Sequence, residues 1–217
     1  FAFKKHNFAL GDKNLLFTHD IDRLYIKKST DNFDFYLGRD GFNFKTVALI
    51  SAVDIMPPST IFSLDNEYVS GVDGLRMVYY LSELSQIKLS HILSKEKKFK
   101  QNISALEFAT TIMTTDLSLS LFYFASNIVT GFFATTDVAG SSVYLESSIS
   151  FIKDNSSYLR ATAGINKFWT DRLTSIIEYH YNGFGSSSYK GYDRLQETPY
   201  YKNQHGFLTA KNYINLV

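Results

Sequence analysis

Hydrophobic and polar residues alternate along this chain in long runs from Gly71 onward, and Gly, Asn, Asp or Ser ends most of the runs. Leu117, Leu119, Leu121, Tyr123 and Ala125 share one parity, with Ser118 and Ser120 on the other. After Gly140 the pattern returns: Val143, Leu145, Ile149 and Phe151 oppose Ser142, Tyr144, Glu146, Ser148 and Ser150. Successive side chains of a strand point to opposite faces, so this period of two predicts strands with one apolar and one polar face. Each run reaches about ten residues, roughly twice an ordinary globular strand and long enough to cross a bilayer when tilted.

The pattern places strands at 72–82, 86–94, 102–114, 116–126, 128–137, 141–153, 157–167, 172–183 and 204–215. Weaker ones fall at 21–28 and 33–37, and the segment before them carries little signal beyond a turn near Gly11 and Asp12. Short turns are expected at Thr114–Thr115, Ser126–Asn127 and 154–156, and a long polar, Tyr-rich loop at 183–203. Between Gly38 and Gly71 the alternation lapses around Pro57 and Pro58, which cannot serve in a central strand. Residues 51–70 are therefore the candidate for a loop folded inward. The uncharged stretch between Asp116 and Asp137 has the length of a membrane helix, but its alternation and the Ser126–Asn127 turn predict two strands instead.

Composition narrows the class. The 217 residues carry 22 basic and 21 acidic side chains, for a net charge of +1, so no global field points to nucleic acid. Aromatic residues make up 16%, with 19 Phe and 15 Tyr, which suits strands and also the girdles of outer-membrane barrels. Cysteine is absent, which excludes disulfides and thiolate metal sites. The expectation is an all-β protein: 1–217 as a single antiparallel transmembrane β-barrel domain with about ten strands present. A soluble β-sandwich would alternate too, but with shorter strands.

One segment reads LGRDGFNF, then DIMPPSTIFSLDNEYVSGVDGLR, and it resembles a poorly characterised group of porin-like outer-membrane β-barrel proteins of Gram-negative bacteria. The matching positions are Gly38, Arg39, Asp54, Pro57, Leu64, Asp65, Glu67, Tyr68, Gly71, Val72, Asp73, Leu75 and Arg76. Asp40 stands where the group has Gln, and the usual Gly-rich piece before Asp54 is missing. VTGFFATTDVAGSSVYLES and IIEYHYNGFG are similar to the same group, in the same order. The resemblance implies further strands before Gly38, a chain that continues past Val217, and a fragment that forms no closed pore alone.

Two sets of candidate residues follow. Glu107, Glu146, Arg160, Glu178 and His180 sit on polar strand faces and would line a lumen and bias the solutes that pass. A hairpin turn at Phe168–Trp169–Thr170 would put Arg160 opposite Glu178 and Tyr158 opposite His180, a pairing that would pin register. Arg39, Asp54, Asp65, Glu67, Asp73 and Arg76 surround the Pro loop and would anchor it, although Asp65 and Asp73 also suit ordinary turns. Trp169, Phe168, Tyr189, Tyr192, Tyr200 and Tyr201 lie near strand ends and are candidate interfacial anchors.

Chemistry is less evident. Glu178, His180 and Asn182 share one strand face, but the other histidines are scattered singly, so no metal site is expected. No Gly-x-Ser-x-Gly elbow or phosphate-cradling loop occurs, and no cofactor is expected. The leading expectation is a channel in the bacterial outer membrane, with lipid around it and small polar or charged solutes passing through. The alternatives are a surface barrel that binds partners through its loops and, less favoured, an outer-membrane hydrolase.

Overall fold

The structure, a computed structural model, describes residues 6–9, 16–19, 21–42, 44, 49–53, 71–93, 102–124, 126–153, 156–170, 173–197 and 210–216. Two short strands, β1 (His6–Ala9) and β2 (Leu16–His19), pair with each other. The remaining eleven form one sheet: β3 (Leu24–Thr30), β4 (Phe33–Asp40), β5 (Val72–Ser82), β6 (Ser85–Ile92), β7 (Ile103–Ile112), β8 (Thr115–Phe124), β9 (Asn127–Val138), β10 (Ser141–Phe151), β11 (Ser157–Thr170), β12 (Leu173–Asn182) and β13 (Asn212–Leu216). They lie in chain order and every neighbouring pair is antiparallel. Among the described residues β3 and β13 are unpaired edges, so the sheet is open.

The fold is all-β, with eleven strands in the sheet rather than about ten. The uncharged stretch is the β8–β9 hairpin, with Phe124 paired to Asn127 and Ser126 at φ 67°. Connections differ sharply between the two ends of the sheet. At one end β3–β4, β5–β6, β7–β8, β9–β10 and β11–β12 are each joined by two residues. Ala139 and Gly140 both take positive φ (50° and 70°), as a tight hairpin that follows the sheet's twist requires. The other end carries 41–71, 93–102, 125–126, 152–156 and 183–211. Residues 183–203 of the last of these were expected to be a plain loop. It contains α1 (Tyr189–Glu197), and its predicted strand 204–215 is seen as β13, the part before Ala210 lying outside the described residues.

The two faces differ as sharply. On one, Leu89 pairs with Leu106, Leu106 with Leu121, Ile149 with Leu159 and Ile165 with Ile177. All seven of these side chains are exposed, and so is Leu145. The opposite face is covered by Phe42, Phe44 and residues 49–53. Along β10 the switch is complete from one residue to the next: Leu145 is 46% exposed and Glu146 0%.

The covered face has two parts. Toward β6–β9, Ile92, Ala105, Phe122, Phe124 and Val129 form an apolar cluster with Phe42, Phe44 and Val53, and the Phe44 and Phe122 rings meet edge to face at 5.0 Å. Toward β10–β12 the buried side chains are polar: Glu146, Ser148, Ser150, Arg160, Thr162, Glu178, His180 and Asn182. Burial of so many polar groups is tolerated only where hydrogen bonds replace the lost water.

Candidate functional site

Residues 49–53 lie across β10–β12 as a strap, and two carboxylates hold them by the backbone. Glu178 accepts from the Leu49 N–H (3.2 Å), the Ile50 N–H (2.7 Å) and the Tyr144 hydroxyl (2.8 Å). Asn215 Nδ2 adds a longer contact from β13 at 3.4 Å. Glu146 accepts from the Ser51 hydroxyl (2.8 Å), the Ala52 N–H and the Val53 N–H (3.2 Å). The strap's carbonyls are met in turn: Thr162 donates to Ile50 O (2.8 Å) and Ser148 to Ala52 O. Each carboxylate thus gathers several charge-assisted bonds in a buried setting, where such bonds are strongest.

The threonine also fixes the histidine. Thr162 has one hydroxyl hydrogen, and Ile50 O receives it, so the 2.7 Å contact between Thr162 and His180 has Nδ1–H as the donor. Neutral His180 therefore carries its proton on Nδ1.

Three glycines inside strands make room on this face. A Cβ at Gly164 would overlap the Tyr144 ring, which crosses that position to reach Glu178. Tyr144, Gly164 and Glu178 are consecutive cross-strand partners, so the register itself delivers the phenol to the carboxylate. At Gly131 a Cβ would stand 2.8 Å from Val53 Cγ2, and at Gly74 it would stand 2.8 Å from the Phe42 ring. Each glycine marks a spot where another side chain lies against bare backbone.

The predicted hairpin turn is corrected by the register. Thr170 pairs with Leu173, Arg160 faces Asn182, Thr162 faces His180 and Gly164 faces Glu178. Arg160 is therefore not opposite Glu178. Tyr158 is not opposite His180 either, and packs edge to face on Phe184 at 5.1 Å. The displacement is four residues, an even number, which is why the same side chains still share one face.

Of the expected loop anchors, Arg39 is buried and donates through Nε to Gly71 O at 3.1 Å. Arg76 donates to Asp40 at 2.7 Å and stacks over Tyr36 (4.4 Å) and Phe42 (5.5 Å). Asp73 pairs with Arg39 in register. Asp54, Asp65 and Glu67 lie outside the described residues, as does 54–70 of the candidate inward loop. Glu146 and Glu178 were selected for solute bias, and the structure brings them together on the strap. Sequence reasoning did not find residues 49 and 50 of the strap, nor Tyr144, Ser148 and Thr162. Gly164, a glycine inside an otherwise regular strand, was the signal available for Tyr144.

Glu107 lies apart from the strap, 3.4 Å from Lys88. Two more pairs, Lys27 with Asp34 (3.0 Å) and Arg76 with Asp40 (2.7 Å), occupy β3–β5, and in all three the cation is the more exposed partner. On the open face at the short-turn end, Lys167 donates to Ala139 O (3.0 Å) and lies 5.5 Å from the Trp169 ring, while Trp169 donates to Ser175 (2.9 Å). Phe168 is exposed beside them. Tyr189 and Tyr192 fall in α1 instead of at a strand end, and Tyr200 and Tyr201 lie outside the described residues. No family model, curated protein or solved structure matches the chain.

Proposed function

We propose that this chain forms the wall of a porin-like outer-membrane β-barrel, a channel through which small polar or charged solutes diffuse passively. The open apolar face meets lipid, and the covered face lines a water-filled lumen that the strap narrows. One observation carries the reading: fully buried Glu146 and Glu178 fasten a segment to the polar face, while Leu145, Ile149, Leu159, Ile165 and Ile177 stay open on the other. A soluble two-layer protein would cover the apolar face instead, since exposed apolar patches beyond a few hundred Å² are rare on soluble monomers. Seven strands of 10–14 residues also match the span of a tilted transmembrane strand. Two-residue connections at one end and mostly longer ones at the other match the turn and loop ends of such barrels.

The test is conductance in planar bilayers of the native protein and of a Glu146→Ala/Glu178→Ala variant. Steady conductance, larger in the variant, is the expected result. If both proteins insert and stay folded but neither conducts, the channel reading fails. The second reading, a barrel that binds partners through its loops, would then lead, with 183–211 and its helix as the contact surface.

A further inference from the structure

The polar contacts that fasten residues 49–53 to the sheet run mostly through main-chain groups. Glu178 takes the Leu49 and Ile50 N–H groups and Glu146 those of Ala52 and Val53, while the Ile50 and Ala52 carbonyls accept from Thr162 and Ser148. Ser51 is the exception, its hydroxyl donating to Glu146. Consecutive N–H groups of a straight strand point to opposite sides, so two of them reach one carboxylate only where the backbone bends, as it does at Leu49, Ala52 and Val53. The sheet face is thus shaped to a bent backbone, and its partners are N–H and C=O groups that every peptide carries except at proline. We infer that Glu146, Ser148, Thr162 and Glu178 form a binding site for short neutral peptides, one that the strap occupies in cis. As an assignment of solute class, the inference rests on the channel reading.

The wall holds two of these four groups by bonds of its own. Tyr144 donates to Glu178 at 2.8 Å, and His180 meets Thr162 at 2.7 Å. A site ordered before its ligand arrives loses less on binding. Shape then restricts which peptides fit. Ile50 and Ala52 are both buried, so the second position takes an apolar side chain and the fourth a small one. Val53 lies against the bare backbone of Gly131 and joins the apolar cluster with Phe122 and Val129, so the fifth position takes a branched apolar side chain. No residue from 49 to 53 is charged, and an acidic one would set a third carboxylate beside two that are buried. A segment of the same chain competes at an effective concentration on the order of millimolar. A free peptide therefore binds weakly to the native protein and well where the strap is displaced.

In the full chain in detergent micelles, Ile50→Pro with Ala52→Pro removes two of the strap's donors and vacates the site. The probe is the pentapeptide of residues 49–53, acetylated and amidated, followed by calorimetry. The expected result is saturable binding to this variant, weaker by about tenfold or more when the peptide is N-methylated at its second and fourth residues. No binding, or binding indifferent to N-methylation, would overturn the inference. If the variant does not fold, the native protein decides. Excess peptide should then speed amide exchange at Ile50 and Ala52 by displacing the strap, and unchanged exchange would sink the idea. Neither readout needs a pore. Conductance without peptide binding overturns this inference alone, whereas peptide binding without conductance supports the site and overturns the channel reading.

Discussion

The covered face is held in two ways, and the contrast shows which half fixes position. Around β6–β9 the contact is apolar: Phe42, Phe44 and Val53 sit among Ile92, Ala105, Phe122, Phe124 and Val129. Around β10–β12 it is made by two carboxylates that gather backbone N–H groups and by hydroxyls that donate to strap carbonyls. Apolar burial is non-directional, so it supplies affinity but tolerates small shifts. Hydrogen bonds to a buried anion are directional and costly to lose, so they fix where the strap lies. Val53 joins the two halves, since it belongs to the apolar cluster and also donates to Glu146.

The contrast breaks most visibly under truncation. Phe122→Ala removes a ring that is 0% exposed and should cost about 3–5 kcal/mol, read as a lowered denaturation midpoint in detergent or lipid. Phe122→Leu, a gentler swap, should recover most of that loss. The polar half should behave the other way. Glu178→Gln keeps the shape, yet it turns an acceptor of the Leu49 and Ile50 N–H groups into a partial donor, at a cost of roughly 1.5–3 kcal/mol. If Glu178→Gln proved neutral while Phe122→Leu was severe, the assignment of position to the carboxylates would be wrong.

The glycines sharpen the comparison at smaller amplitude. Gly164→Ala forces Tyr144 off its path to Glu178, and Gly131→Ala presses on Val53 in the apolar half. Overpacking of either kind costs about 1–3 kcal/mol. The two act on the strap by different routes: Gly164→Ala through Tyr144, which donates to the Glu178 clamp, and Gly131→Ala by crowding Val53 of the strap itself. Tyr144→Phe, which removes that donor without crowding, should reproduce part of the effect at about 1 kcal/mol. If the chain forms the proposed channel, conductance read beside the denaturation midpoint should rise for Gly164→Ala and, less, for Tyr144→Phe.

Strands and faces were legible in the sequence because a period of two is local. Val72–Ser82 was read to the residue, and Glu146, Arg160, Glu178 and His180 were placed together on a polar face. What the pattern could not supply was long-range. Nothing in the alternation of β10 and β12 says that Glu146 and Glu178 meet residues 49–53, some 93 to 129 positions away. The β11–β12 register slipped by four because Phe168, Trp169 and Thr170 look like a turn but continue the strand, with an irregularity between Phe168 and Thr170. Gly74 and Gly131 were a local trace of the covering segment, bare backbone where Phe42 and Val53 lie, and Gly164 was the trace of Tyr144.

The smallest predicted effect falls on neither half of the strap's footing. Lys88 faces Glu107 at 3.4 Å, with side-chain exposures of 30% and 16%, and the pair is too wet to contribute more than about 1 kcal/mol. Lys88→Gln should therefore leave the denaturation midpoint nearly unchanged. Its charge, however, is the more exposed member of the pair, as Lys27 and Arg76 are of theirs, so in the proposed channel a solute would meet these cations first. Removing one exposes Glu107 and should move the reversal potential under a salt gradient toward cation preference, more at low ionic strength than at high because exposed charges are screened. Glu178→Gln should leave that potential close to its native value, since its charge is spent on the strap. If Glu178→Gln moved the reversal potential and Lys88→Gln did not, the clamp would also set selectivity, and the division between holding the strap and sorting solutes would collapse.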